Sequence, residues 1–470
     1  KGSSVLRMLE GFLGQDAFRA GLRTYMAAFG GGNAVGADLW KHLGAASERD
    51  VERIMQSWIA QPGHPMLSVA LQGQELHLRQ QRFRSMPGAA PGEQVWEVPL
   101  VVRYHDEAGT HELRYLLRER EARAPLSVQG KLAWLHANAG DVGFYRADPD
   151  VALLAGLRAH AAELSPAERV GLLRDQWALA RAGARPPDGC FGLLGDIVPR
   201  EPHYAVIETG AEIAREAERL LEVHTNASAL QRYRAWVGRA FAPILEAAGP
   251  DARPSEKPAE GLRRAAAYRA VAGVARDPKA LEQALRIAAR ERADPAAVDA
   301  NLASTVVNLA AQAGDGARFD EHVKAYVARR DSKRSPQEAD RYLLSFVHFR
   351  PPELVARTLA LLQDGTVPKQ SVGPLLTVLL REPHAQHAAF EHVVERWEPL
   401  RKELGDPWAA NLAEAMGWLP PSLKAHAEAF LQAQAGDFVQ SRGRGLDLLA
   451  ERAAVFEGFV PALAAWARSA

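Results

Sequence analysis

The chain has 470 residues, 47% hydrophobic and 24% charged, a globular composition with length for roughly three domains of about 150 residues. Its 57 Lys and Arg balance 57 Asp and Glu with no long block of one sign, which argues against the phosphate-driven binding of nucleic acids. No window approaches the roughly 18 to 20 consecutive apolar residues of a membrane-spanning helix, and a single cysteine, Cys190, excludes an internal disulfide and a Cys-rich zinc site.

The first stretch, residues 1 to 62, reads as helices. Val5, Leu6, Met8, Leu9, Phe12 and Leu13 recur at three- and four-residue spacing almost from the first residue, one apolar helix face. Phe18, Leu22, Tyr25, Met26 and Phe29 form a second stripe, "ADLWKHLGAA" a third helix, and "SERDVERIMQSWIAQ" a fourth, for which Ser47 is the expected cap. "GGGNAVG" suits a helix end and a turn; it neither follows a strand nor matches the GxGxxG spacing of a phosphate-cradling loop.

At "QPGHP" the period changes, because Pro62, Gly63 and Pro65 break a helix. "MLSVAL", "ELHLRQQRF", "WEVPLVVRY", "HELRYLL" and "LAWLHA" then alternate or form short apolar runs between turn-rich stretches, the pattern of a small antiparallel β module. It ends near "NAGDVGFYRADPD", where Gly140 and Gly143 interrupt the last strand pattern. From about residue 151 nearly every segment is an Ala- and Leu-rich amphipathic helix, with loops at "RPPDG", "GPDARPSEKP", "GDGAR", "FRPPE" and "WLPPS". Helix pairs continued over residues 151–470 predict an irregular helical array with a concave face.

The chain carries no complete catalytic motif. Zinc hydrolases use HExxH because histidines four apart share one helix face and the Glu between them activates water. His111 opens "HELRY" with no second His, in a strand pattern that sends His111 and Glu112 to opposite faces. "HAQHAAFEHVVER" places His384, His387, Glu391, His392 and Glu395 on one predicted helix, yet three residues rather than two separate His387 from Glu391, so the inverted HxxEH zinc motif is out of register. A solvated helix face with partly buried histidines is the expectation there. Gly130 and Lys131 are followed by Leu132, not the Ser or Thr of a phosphate loop, and no GxSxG elbow exists. Cys190 is expected as a small buried side chain or a loop thiol.

"KGSSVLRMLEGFLGQDAFRAGLRTYMAAFGGGNAVGADLW", followed by "WIAQPGHPMLSV", resembles the stretch of aminopeptidase N family zinc peptidases that closes the thermolysin-like catalytic domain and enters a β-sandwich. "NAGDVGFYR" is similar to the family's sandwich-ending signature. "PAERVGLLRDQWALARAG" and the segments from "VDANLASTVVNLAAQAGD" to "TLALLQDGTVPKQSV" are similar to its helical C-terminal domain. His64 and Phe144 depart from the family, which often has an aromatic residue at the first position and commonly Tyr at the second.

The resemblance implies a multidomain, mainly α chain: residues 1–62 as the helical end of a thermolysin-like domain, 63–150 as a small antiparallel β-sandwich, and 151–470 as a repeat-like, superhelical α domain. In the family's Y-x-K-G pattern the Tyr stabilises the oxyanion, and Lys1 and Gly2 match its last two letters. The Tyr, the HExxH ligands, the third zinc ligand and the amine-binding glutamates would all belong upstream. The family's mechanism is metal-assisted peptide hydrolysis with one zinc ion. By the resemblance this chain binds no cofactor, holds no catalytic or metal-binding residue, and partners an N-terminal catalytic half and, in the intact enzyme, a peptide substrate. Helical-domain arginines are candidates to steer the peptide's carboxylate, with no single one singled out. The alternatives are a free-standing helical binding scaffold and a metalloenzyme centred on His384, His387 and His392.

Overall fold

The computed structural model describes all residues except 91, 225, 254, 333–334 and 435–436. The chain divides into two compact units, one of Lys1–Ser85 with Ala89–Leu179 and one of Met86–Gly88 with Ala180–Ala470.

The first unit opens with α1 (Gly2–Leu13), α2 (Gln15–Phe29), α3 (Gly36–Ser47) and α4 (Val51–Ile59). Gly14, at φ 88°, separates α1 from α2 in a conformation that side-chain-bearing residues avoid. The cap expected at Ser47 is not used for α4. Ser47 ends α3, where its Oγ donates to the Leu43 carbonyl (2.7 Å), and the Asp50 carboxylate accepts from Arg53 N (3.0 Å) as the α4 cap. "SERD" offers two cap residues, and the carboxylate next to the helix wins.

Seven strands follow: β1 (Pro65–Gln72), β2 (Glu75–Arg82), β3 (Val98–Asp106), β4 (Gly109–Leu117), β5 (Glu121–Pro125), β6 (Trp134–His136) and β7 (Arg146–Pro149). They build two sheets, ordered β5-β2-β1-β7 and β4-β3-β6. Leu67, Val69, Leu76 and Leu78 of the first share one core with Val98, Leu100, Val102 and Leu135 of the second, so the module is a sandwich. Val5, Leu9, Phe12, Ile54 and Trp58 of α1 and α4 extend the same core. Two strands depart from expectation. β5 is a short edge strand of polar alternation, and β7 runs parallel to β1. The antiparallel plan fails at β7 because a strand returning from the other sheet is free of the hairpin geometry that forces antiparallel pairing.

Helix α5 (Val151–Ala159) is capped by Asp150, whose carboxylate accepts from Leu153 N (2.8 Å). In α6 (Pro166–Arg181), Ser165 and Glu168 form a reciprocal capping box, with Ser165 N donating to Glu168 Oε2 (2.7 Å) and Glu168 N to Ser165 Oγ (3.3 Å).

The second unit is helical. Its elements are α7 (Pro187–Ile197), α8 (Tyr204–Val223), α9 (Ala227–Ala248), α10 (Pro258–Tyr268), α11 (Pro278–Ala293), α12 (Ala300–Gln312), α13 (Gly316–Ser332) and α14 (Pro336–Ser345). They continue through α15 (Pro352–Leu361), α16 (Lys369–Leu379), α17 (Gln386–Glu395), α18 (Trp397–Leu404), α19 (Asp406–Ala415), α20 (Lys424–Ala433), α21 (Val439–Gly458) and α22 (Val460–Ser469). Helices α8, α10, α12 and α14 pack side by side in sequence order, with α9, α11 and α13 against them, the neighbour-on-neighbour stacking of an array. Pro187 begins α7 at its first turn, so part of the expected "RPPDG" loop is helix. The expected loop at 249–258 contains Pro254, outside the described residues. Between α10 and α11, Arg269–Val274 winds as a π-helix, and Ala275 N donates five residues back to Ala270 O (2.8 Å).

Candidate functional site

At the N-terminal corner of the first unit, Lys1 Nζ donates to the Gln61 carbonyl (2.6 Å). Nearby, His64 lies 5.4 Å from the Phe83 ring and 5.2 Å from Phe144. The two departures from the family pattern are therefore ring partners. Burial, with Arg146, Lys1 and Arg82 adding, lowers His64 to about 4, so a neutral imidazole fills the aromatic's place.

The "NAGDVGFYR" stretch folds into a turn that Asn138 closes. Gly143 N donates to Asn138 Oδ1 (2.7 Å), Gly140 takes φ 64°, and Gly140 N donates to Glu168 Oε1 (3.0 Å). Tyr145 Oη donates to the Ala137 carbonyl (2.7 Å), and Arg7 of α1 reaches the Gly140 carbonyl (3.3 Å). Burial raises Asp141 to about 6 against the pull of Arg7, Arg174 and Arg146. These groups lock α1, the sandwich and α6 together, which is structural work.

The histidines singled out in the sequence go to separate places. His111 Nε2 bonds Asp106 Oδ1 (2.9 Å) and stacks on Tyr104. Hydrogen bonds from Gln129 N, His111 and Ala108 N hold the Asp106 carboxyl down to about 2. His392 faces Gln363 Nε2 (3.2 Å), His387 faces Ser422 Oγ (3.4 Å), and His384 sits in the turn before α17, where burial lowers it to about 4. Glu391 and Glu395 join neither. Zinc, the metal of the resembled family, does not fit this set, since the rings have different neighbours and no shared focus. Among the described residues no group of three or more His, Cys, Asp or Glu side chains is placed to hold a metal ion. Cys190 is buried in α7 rather than in a loop, and burial pushes its thiol far up, leaving it protonated and unreactive.

The arginines of the helical unit are largely engaged. Arg215 Nη2 donates to Glu382 Oε1 (2.8 Å), and Arg219 reaches the same oxygen. Burial favours the protonated acid, but Arg215 and Arg219 outweigh it and hold Glu382 down to about 2. Arg234 serves Glu218 and Glu222 (2.7 and 2.8 Å), Arg350 serves Glu222 (2.7 Å), and Arg269 bonds Glu208. Next to these pairs α8, the π-helical segment and α12 line a cavity of about 370 Å³. Nothing in the sequence flags it except the Ala-rich run "AAAYRAVAGVA", small residues broken only by Tyr268 and Arg269, which marks a largely buried helix.

Residues 134–452 match the family described as the ERAP1-like C-terminal domain. The chain belongs to that family. Ahead of the ERAP1-like domain, residues 1–58 match the Peptidase family M1 domain. Aminopeptidase N of Lactococcus lactis subsp. lactis is 26% identical over 409 residues, covering 86% of this chain and 47% of that protein. Probable aminopeptidase 1 of Saccharolobus solfataricus is 24% identical, covering 87% of this chain and 47% of that protein. Aminopeptidase M1 of Arabidopsis thaliana is 34% identical over a shorter stretch, 39% of this chain and 22% of that protein. The chain thus spans about half the length, or less, of these curated relatives. It corresponds to a C-terminal part of an M1 aminopeptidase, with a mainly helical, multidomain architecture that includes a small sandwich.

Proposed function

We propose that this ERAP1-like chain is the non-catalytic C-terminal region of a zinc-dependent aminopeptidase, working with a catalytic half that supplies the metal ligands, the general base and the oxyanion-binding tyrosine. In this reading residues 1–62 finish the peptidase domain, 63–150 are a spacer sandwich, and 151–470 cover the site and restrict which peptides reach it.

The observation that carries the reading is the order of the family matches, Peptidase M1 over 1–58 and ERAP1-like over 134–452. The surface of α2 supports it. Only Gly21 of that helix is buried, and Met26 is 60% exposed although it belongs to an apolar stripe. Such a stripe needs a covering element, which the rest of a peptidase domain would provide.

The test is an aminopeptidase assay with the 470-residue chain and zinc, measuring release of the N-terminal residue from an aminoacyl anilide, with and without an M1 catalytic half co-expressed. No turnover alone and turnover with the half is the expected result. Chelator-sensitive turnover by the chain alone would overturn the reading. Peptide binding by the chain, with neither complementation nor turnover, would favour a scaffold.

A further inference from the structure

The cavity in the helical unit falls within the size range of small-molecule sites, roughly 300 to 1,000 Å³. Its wall includes the π-helical turn Arg269–Val274, a rare conformation found frequently at functional sites. Gln312 Nε2 donates to the Gly273 carbonyl (3.3 Å), so α12 helps to hold that turn.

The charges around the cavity are unequally answered. Arg269 is held by Glu208 and by Thr305 Oγ1 (2.9 Å), Arg215 by Glu382, and Glu218 by Arg234. Glu212 lines the same wall of α8 with no ion pair or side-chain hydrogen bond among the described residues. On α12 the Asn308 Oδ1 is buried and receives no hydrogen bond. His348 adds no positive charge, because burial, with Arg215 beside it, lowers it to about 3. What the cavity leaves without a protein partner is thus an exposed carboxylate, Glu212, and a buried amide oxygen, Asn308 Oδ1, both acceptors. An anion would have to displace Glu382 or Glu208 from an arginine and then sit beside Glu212. A cation can pair with Glu212 without displacing an existing ion pair, the wall's Arg215 and Arg269 being already answered by Glu382 and Glu208.

We propose that this cavity binds a small organic cation, whose ammonium group pairs with the Glu212 carboxylate and donates to Asn308 Oδ1. The same chemistry is offered by a free aliphatic diamine and by the ammonium group of a short peptide. Its test is binding by this chain alone and does not depend on turnover, so it can fail independently of the proposed function.

The test is titration calorimetry on the 470-residue chain with 1,4-diaminobutane, alanylalaninamide, its N-acetyl derivative and glutarate. Saturable one-to-one binding of at least one cation is expected, with the N-acetyl compound at least tenfold weaker and glutarate silent. Tighter binding of the diamine assigns a free amine, and tighter binding of the dipeptide amide assigns a peptide terminus. Glu212→Gln and Asn308→Leu should each weaken binding about tenfold or more, while Glu246→Gln, on the exposed face of α9, leaves it unchanged. Glu212 is exposed, so Glu212→Gln is expected to keep the wild-type melting temperature, which is measured alongside. Absence of saturable binding by either cation, or equal affinity in folded Glu212→Gln, would overturn the proposal.

Discussion

Helices α2 and α12 have nearly the same length and opposite fates. The first has a sharp apolar stripe yet buries only Gly21, while the second buries eight residues, from Leu302 to Ala311. The difference comes from neighbours. Helix α2 packs on α3, where a Cβ at Gly21 would stand 2.9 Å from the Leu43 backbone and His42 meets the Tyr25 and Phe29 rings, but its stripe is left half-buried at best, with Met26 exposed. Helix α12 lies between α10 and α14 with α11 and α13 against it. Amphipathic pattern declares that a face exists, whereas burial depends on what else is in the fold.

The contrast can be broken most severely at the layer around α12. Glu291 of α11 is fully buried and accepts from Arg341 and Tyr342 of α14. Glu291→Gln leaves Arg341 without its counter-charge, and a loss of about 3 to 5 kcal/mol is expected from denaturant titration. A loss under about 1 kcal/mol would mean that water reaches this layer. Next in size, Leu302→Ala should cost about 2 to 5 kcal/mol, the usual range for a cavity left in a packed core. Unchanged stability would show α12 to be loosely packed.

Acid sharpens the comparison between the two units. In the helical unit burial lowers His322 and His348 to about 3 and His384 to about 4. From about pH 6.5 downward the unfolded chain takes up these protons while the folded chain refuses them, so stability falls as pH drops toward 4. Glu218, raised by burial, opposes this with one group. In the first unit His64 and His136, both lowered to about 4, act in the same sense. There the raised carboxyls Asp141, at about 6, and Asp175, at about 7, bind protons in the folded state and oppose them. Two groups face two. Between pH 7 and 5 the helical unit should therefore lose stability, at about 1.4 kcal/mol per pH unit for each net proton, while the first unit changes little. Unfolding followed separately at the two pH values checks this, and a steeper first unit would refute it.

The smallest expected effect is at α2. Met26→Ser should change the stability of the 470-residue chain by no more than about 0.5 kcal/mol. With a catalytic half bound over that stripe, the same substitution should cost more. Equal values in both states would remove α2 from the proposed contact.

Much of this was legible in the sequence because it is local. The stripe of α1, the break at Pro62 and Pro65, and the change from period 3.6 to period 2 each depend on residues within a few positions of one another. The family resemblance was legible for the same reason, since ordered short segments carry it. What escaped was contingent. The choice of Asp50 over Ser47 turned on where α3 stopped. The parallel pairing of β7 with β1 depended on the path between two sheets, and the polar edge strand β5 had no apolar pattern to announce it.

The candidate cavity was less legible still. Glu208 and Glu212 share one face of α8, but Asn308 and His348 come from two other segments, and nothing in spacing or type along the chain gathers the four. The π-helical turn that lines the cavity hides in an Ala-, Val- and Gly-rich stretch interrupted only by Arg269. By itself the sequence determined the helices, the strands, the family and the absence of any HExxH motif, because those are properties of neighbours along the chain. Only the tertiary structure decided which carboxylates found an arginine, which histidines were shut away from protons, and that Glu212 and Asn308 were left with acceptors unused, because pairing and desolvation are set by groups far apart in sequence.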